Sequence, residues 1–305
     1  YYNSGRFGGT GGGGAGGRVA VYYGSGTLPA ISAQDGSGAV YGGAGTVYTK
    51  LNSATYGDLT IKNGGTVGAV TPVAVSLTVG NFVIQSGANV QINSGVTLTT
   101  TQINGSTSAA SIASGNTLTI ASGGIFTANS LTGLTLNGTL TNSGRWDATA
   151  LASVTISSGA TFTVNTFSGT TTNFPATAAW VIDGTLTHSA NTTAKTYFIE
   201  LAANSMTIGS AGKIDVNYKG YTGGTAGATS AGGAGNGTGP GGGGGYDSSS
   251  ATGGGGGGGG GAHAASGGAG SVSYGSQAAG GSGATAYGAP GAPITRGSGG
   301  GGGGG

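Results

Sequence analysis

Phe82-Val83-Ile84-Gln85-Ser86-Gly87-Ala88 returns as Leu118-Thr119-Ile120-Ala121-Ser122-Gly123-Gly124, and again as Val154-Thr155-Ile156-Ser157-Ser158-Gly159-Ala160. Both spacings are 36 residues. Each copy is a short run of alternating residues closed by Ser-Gly, and each continues into a second run ending at Ile92, Ala128 or Val164. Alternation with β-branched residues, broken by Ser-Gly or Asn-Gly, reads as strands joined by tight turns. Leu59-Thr60-Ile61, Val96-Thr97-Leu98 and Leu134-Thr135-Leu136 follow the same rule.

Short strands, regular turns and an approximate repeat predict an all-β fold, a β-solenoid whose coils stack and whose inward Leu, Ile, Val and Phe form a narrow core. Thirty-six residues make two coils of 18 or one large coil. At 18 per coil and about 4.8 Å between coils, residues 47–218 would build a rod of roughly 45 Å. Spacing elsewhere is uneven, 23 residues from Leu59 to Phe82 and 46 from Gly138 to Gly184. That unevenness leaves a β-sandwich with a disordered Gly-rich tail as the alternative.

Composition narrows the function. Of 305 residues 75 are Gly, and only 9 are basic and 7 acidic. An ordinary soluble domain carries about 7% Gly and about 25% charged residues. The basic residues are scattered, so no patch exists to neutralise nucleic-acid phosphates. There is no Cys, hence no disulfide and no thiolate metal site. No run of 18 apolar residues is present, so no helical membrane span is expected. The chain opens at Tyr1 without a leader and is read as a processed form or a segment of something longer. Low charge with abundant Ser, Thr and Asn fits an extracellular, cell-surface location.

Glycine divides the chain into three zones: a head at 1–46 with 16 Gly and a strand at 18–23, a solenoid at 47–218 with 19, and a tail at 219–305 with 40. Flexible linker is the ordinary reading of glycine runs. Here the tail is long and carries Tyr221, Tyr246, His263, Tyr274 and Tyr287. Packed polyglycine-II helices are the more specific reading. Extended three-fold helices bond to one another when only glycine stands at the contacts, and buried backbone groups require such partners. The inter-subunit packing positions so predicted are Gly11, Gly12, Gly13 and Gly14 in the head and Gly253, Gly257, Gly261, Gly299 and Gly305 in the tail.

Three stretches carry a resemblance: Lys213 to Tyr221 before glycine-rich sequence, Gly297-Ser298-Gly299 running into Gly305, and Gly14-Ala15-Gly16-Gly17-Arg18-Val19-Ala20-Val21-Tyr22-Tyr23. They resemble the glycine-rich modules of very large bacterial surface proteins of adhesin type. More distantly they resemble the polyglycine-helix bundles of phage tail-fibre tip adhesins. The resemblance covers the two glycine-rich ends. It implies a glycine bundle leading into an Arg-Val-Ala-Val strand, and a role in cell adhesion or surface structure. In this chain that strand stands near the start, whereas the longest glycine region stands at the end.

No chemistry is assembled by the sequence. His188 and His263 are 75 positions apart with no ligand partners at metal spacing, and His188 is expected on an exposed strand. Asp147 and Asp183, 36 residues apart, would stack on one solenoid face and are the best candidate for a glycosidase pair. Asp183 before Gly184 is also an ordinary turn residue. Phosphate-loop, nucleophile-elbow and calcium-repeat patterns are absent. Thr-x-Thr triplets at 97–99, 117–119, 139–141, 161–163 and 185–187 resemble the ranks of antifreeze proteins, but spacings of 20, 22, 22 and 24 argue against a flat array. Thr also simply suits the solvent side of a strand. Thirteen Tyr would serve subunit contacts or a sugar-binding surface. The expected function is therefore a non-enzymatic structural subunit or segment of an extracellular filament or fibre. It has no cofactor and self-assembles head to tail through its glycine-rich ends. The alternative is an adhesin binding a receptor or glycan; ice binding and polysaccharide degradation rank below both.

Overall fold

The computed structural model describes residues 11–165, 177–192, 196–199, 201, 203–220 and 269. They fall in two compact units, one comprising Tyr1–Thr187 and Ile199–Asp215, the other His188–Phe198 and Val216–Gly305.

The first unit is all-β, and its described residues form three sheets. Sheet A contains β1 (Arg18–Tyr23), β2 (Thr46–Leu51), β3 (Asp58–Lys62), β5 (Leu77–Gln85), β7 (Thr97–Ile103), β10 (Ile125–Thr127) and β13 (Arg145–Asp147). Sheet B contains β4 (Thr71–Val73), β6 (Asn89–Ile92), β9 (Thr117–Ile120), β12 (Thr139–Asn142), β15 (Thr161–Val164), β17 (Thr185–Thr187) and β19 (Lys213–Asp215). Sheet C contains β8 (Ala110–Ile112), β11 (Gly133–Leu136), β14 (Ser153–Ile156), β16 (Ala179–Ile182) and β18 (Ser205–Ile208). Apart from the antiparallel β2–β3 pair, the strands of each sheet pair in parallel. From β7 to β15 the chain visits A, C and B in turn and then steps up, and β16 to β19 continue sheets C and B, which is a parallel β-solenoid and not a sandwich.

Register gives the coil directly. In sheet B, Thr71 faces Val90, Asn89 faces Thr117, Thr117 faces Thr139, Thr139 faces Thr161, Thr161 faces Thr185 and Thr185 faces Lys213. Coils thus hold 19 to 28 residues, not 18 or 36. The three related segments sit on three different sheets: Phe82 in A, Leu118 in B and Val154 in C. Phe82 faces Ile103 and Leu118 faces Leu140, so 36 residues are one coil of 21 or 22 plus passage across two further faces. The axial repeat is the weaker motif, Asn137 to Thr141 and Asp183 to Thr187, whose 46 residues span two coils of sheet B. With larger coils the stack is shorter than expected. Six steps of about 4.8 Å along the seven strands of sheet B give roughly 29 Å.

Alternation places every second residue inside. The inward ranks include Val90, Leu118, Leu140, Phe162 and Leu186 from sheet B and Leu134, Val154 and Trp180 from sheet C, all buried. An aromatic ladder runs through them. Phe82, Phe126, Trp146, Phe162 and Trp180 contact in succession, with ring centroids 5.8 to 6.2 Å apart. Corners depend on glycine where successive coils touch. A Cβ at Gly138 or Gly184 would fall on carbonyls of the coil below, Ala113 and Asn116 or Ser157 and Ala160. At Ser86-Gly87 both φ angles are positive, 55° and 82°, as a tight turn of that kind requires.

Candidate functional site

The head is built of glycine segments, and their hydrogen bonds reveal the geometry. Gly13 N donates to Val40 O at 2.8 Å and Gly16 N to Gly43 O at 2.9 Å, a step of three on each segment. Gly36 N donates to Gly14 O at 2.7 Å and Ala39 N to Gly11 O at 3.0 Å, again a step of three with opposite direction. Gly42 N to Gly36 O at 3.4 Å and Gly45 N to Ala33 O at 2.6 Å close the third side. A β-ladder repeats every two residues. A three-residue step is what extended three-fold helices packed side by side produce. Residues 11–17 and 40–45 run parallel, with 33–39 antiparallel to both. The two parallel segments lead without a break into the parallel strands β1 and β2.

Glycine is required at several of these contacts. A Cβ at Gly13 would land on the Gly36 carbonyl, at Gly16 on that of Ala33, at Gly42 on that of Gly14 and at Gly45 on that of Gly17. Gly11, Gly14 and Gly17 form a second rank, again three apart, where an added Cβ would meet no described atom within 4 Å. Of the predicted packing positions, Gly13 therefore faces its own chain. Gly11 and Gly14 face outward, and a Cβ added at Gly12 would reach only the Val40 carbonyl, at 4.0 Å. Gly253, Gly257, Gly261, Gly299 and Gly305 lie outside the described residues, as does His263. The segment 33–39 was not anticipated as a member of the bundle. Its signal was the small rank Ala33, Gly36 and Ala39, also three apart.

A second ordered feature lies on the outer face of sheet B. Thr117, Thr139, Thr161 and Thr185 are in register, as are Thr119, Thr141, Thr163 and Thr187. All eight are half-buried. The uneven sequence spacing did not prevent alignment, because coil corners outside the strands absorb the differences. The remaining triplet, 97–99, belongs to β7 in sheet A. Outward residues of the flanking strands are Asn89 and Gln91 in β6 and Lys213 and Asp215 in β19, the last two paired at 2.9 Å.

The other candidates do not converge. Asp147 lies in β13 of sheet A and is bound by Arg145 Nε at 2.9 Å; Asp183 lies at the corner between β16 and β17. The 36-residue spacing therefore carries these carboxylates to different faces, and they do not form a stacked pair. His188 is buried rather than exposed, because the alternation of β17 continues past Thr187 and makes 188 the next inward position after Leu186; its Nδ1 lies 2.7 Å from the Ser189 carbonyl. In the second unit Asn191 organises the described residues. It accepts the amides of Thr196 and Tyr197 at 2.7 Å and donates to the carbonyls of Tyr197 and Lys219. Asp58 Oδ1 accepts the Asn81 amide at 3.0 Å, and partial desolvation pushes its carboxyl above the ordinary value. Among the described residues no group of three His, Asp or Glu side chains is placed to hold a metal ion. No helix among them is long and apolar enough to cross a membrane. No known family, no curated protein and no solved structure matches the chain.

Proposed function

We propose that the chain is a structural segment of an extracellular filament or fibre that assembles head to tail through its glycine-rich ends. The observation that carries this reading is the open rank Gly11, Gly14 and Gly17, which repeats the spacing of the packed rank Gly13 and Gly16. A glycine rank at this spacing accepts another extended three-fold helix as Gly13 and Gly16 accept segment 33–39. The nine glycines of Gly253–Gly261 in a second copy would supply one, about 28 Å long in that form. Such a contact joins unlike surfaces, so it propagates instead of closing.

The far end of the solenoid supports the same reading. Met206 and Ile208 of β18 and Ile214 of β19 stand in register with buried Trp180, Ile182 and Leu186. They are nevertheless 41%, 50% and 41% exposed. Apolar ranks left open at the last coil favour continuation of the stack by further chain. The first coil differs: its edge strand β4 carries Pro72, which cannot donate to another strand. Growth is directional on this account. Scarce charge and absent Cys suit an extracellular setting, and the likeness of the ends to bacterial surface modules agrees with it.

Sedimentation velocity of the full chain over a concentration series tests the proposal. Large species should grow with concentration, and Gly14→Val with Gly17→Val should suppress them while leaving the circular dichroism unchanged. A chain sedimenting as one small species throughout contradicts the proposal.

A further inference from the structure

The outer face of sheet B presents eight threonines as two columns of four, with no other residue type in those positions. Thr also stands outward elsewhere, but no other sheet repeats the pair strand after strand. The outward residues of sheet C are Ser111, then Gly133 and Thr135, Ser153 and Thr155, Ala179 and Val181, and Ser205 and Thr207. Sheet A presents Thr97 and Thr99, then Ile125 and Thr127, and then Arg145 and Asp147. Among the described residues, four successive strands with Thr at both outward positions occur on sheet B alone.

That face is rigid and patterned. Thr is stiff at χ1, and the strands beneath are locked in parallel register. Hydroxyls therefore repeat at about 4.8 Å along the stack and about 6.6 Å along each strand. Each is accompanied by a methyl group. Apart from Thr187, which donates to the Asp215 carbonyl, none of the eight hydroxyls makes a hydrogen bond to the described residues. No charged side chain lies within the field, and the bordering Lys213 and Asp215 neutralise each other.

Hydrogen-bonded water supplies a matching lattice. Oxygens joined by O–H···O bonds stand about 2.75 Å apart. In a tetrahedral network, two waters sharing a neighbour are then about 4.5 Å apart, and the repeat along the hexagonal axis is about 7.3 Å. The mismatch per step is about 0.3 Å in one direction and about 0.7 Å in the other. Over three steps by one, neither accumulates beyond about 1 Å. Liquid water gains little from such a grid, whereas crystalline water presents the same grid and binds without reordering the protein. Preorganisation of this kind reduces the entropic cost of binding.

We propose that the threonine field of sheet B is a binding site for ice. The ligand is the crystal surface itself, with methyl groups seated in its hollows and hydroxyls standing at oxygen positions. The site is independent of head-to-tail assembly.

Slow growth of ice from a solution of the full chain, followed by assay of protein in the crystal, tests the site. The chain should be taken up, whereas an inert globular protein of similar mass is excluded. Thr141→Tyr and Thr163→Tyr, which raise rings above the plane, should abolish uptake. Thr141→Val, which keeps the shape and removes one hydroxyl, should reduce it even where a Tyr variant fails to fold. Thr155→Tyr on sheet C and the Gly14→Val, Gly17→Val pair should leave uptake intact. Exclusion of the unaltered chain, or equal loss on changing Thr155 and Thr141, would overturn the proposal.

Discussion

Neighbouring glycines in the head should respond oppositely to the same substitution. At Gly13 an added methyl collides with the Gly36 carbonyl, while at Gly14 it meets nothing described within 4 Å. Relief of the first collision requires segments 11–17 and 33–39 to separate. Overpacking of this kind costs about 1–3 kcal/mol. Separation also weakens the Gly36–Gly14 and Ala39–Gly11 hydrogen bonds, each worth about 0.5–1.5 kcal/mol. Gly13→Ala should therefore destabilise the head by about 2–6 kcal/mol. Gly14→Ala has no collision and restricts the unfolded chain, which stabilises by about 0.4–1 kcal/mol. Native-state hydrogen exchange at Gly36, Ala39, Gly42 and Gly45 reads local opening of the bundle. A gap of about 3 kcal/mol is a hundredfold or more in exchange rate. Gly13→Ala should accelerate these amides by at least that factor, and Gly14→Ala should slow them slightly. Equal effects of the two substitutions would refute packing at three-residue spacing.

Two further expectations concern the solenoid. Asn142 is fully buried in the rank Ile120, Asn142, Val164, and neither of its side-chain atoms has a hydrogen-bond partner. Removing an unsatisfied amide gains about 1–3 kcal/mol, so Asn142→Val should raise Tm by roughly 2–10 °C; an unchanged or lower Tm would contradict it. Because desolvation raises the Asp58 pKa, the folded chain keeps that proton to higher pH than the unfolded chain does. Its contribution to stability therefore declines as pH rises just above the ordinary carboxylate value and then levels off. Asp58→Asn should flatten that slope in a series of melting curves between pH 3 and 6, and an unaltered slope would exclude Asp58 as its source.

The strands were legible because inward and outward residues alternate so strictly: Leu134-Thr135-Leu136 and Val154-Thr155-Ile156 could be placed from their pattern alone. Coil length was not legible. The strongest self-similarity, at 36 residues, relates segments on different faces, since any inward strand followed by Ser-Gly looks alike whichever sheet it joins. Corner length varies from coil to coil, and this also hid the threonine columns: 22 and 24 residues give the same register once the corners take up the difference. His188 was misplaced because an ionisable side chain was expected outside, although alternation from Leu186 makes it the next inward position. In the head, the glycine composition left a flexible linker and a packed bundle both open, and the strand Arg18–Tyr23 implied by the resemblance is β1. The partner of Gly11–Gly14 was not visible in advance. Residues 33–39 contain Gln34 and Asp35 and resemble a loop until their small residues are read in threes.

Electron microscopy of the purified chain at several concentrations tests the assembly account most directly. The account predicts filaments that lengthen with concentration, with an axial repeat of one subunit and the glycine-rich ends meeting at each joint. Discrete particles of fixed size at every concentration would contradict it.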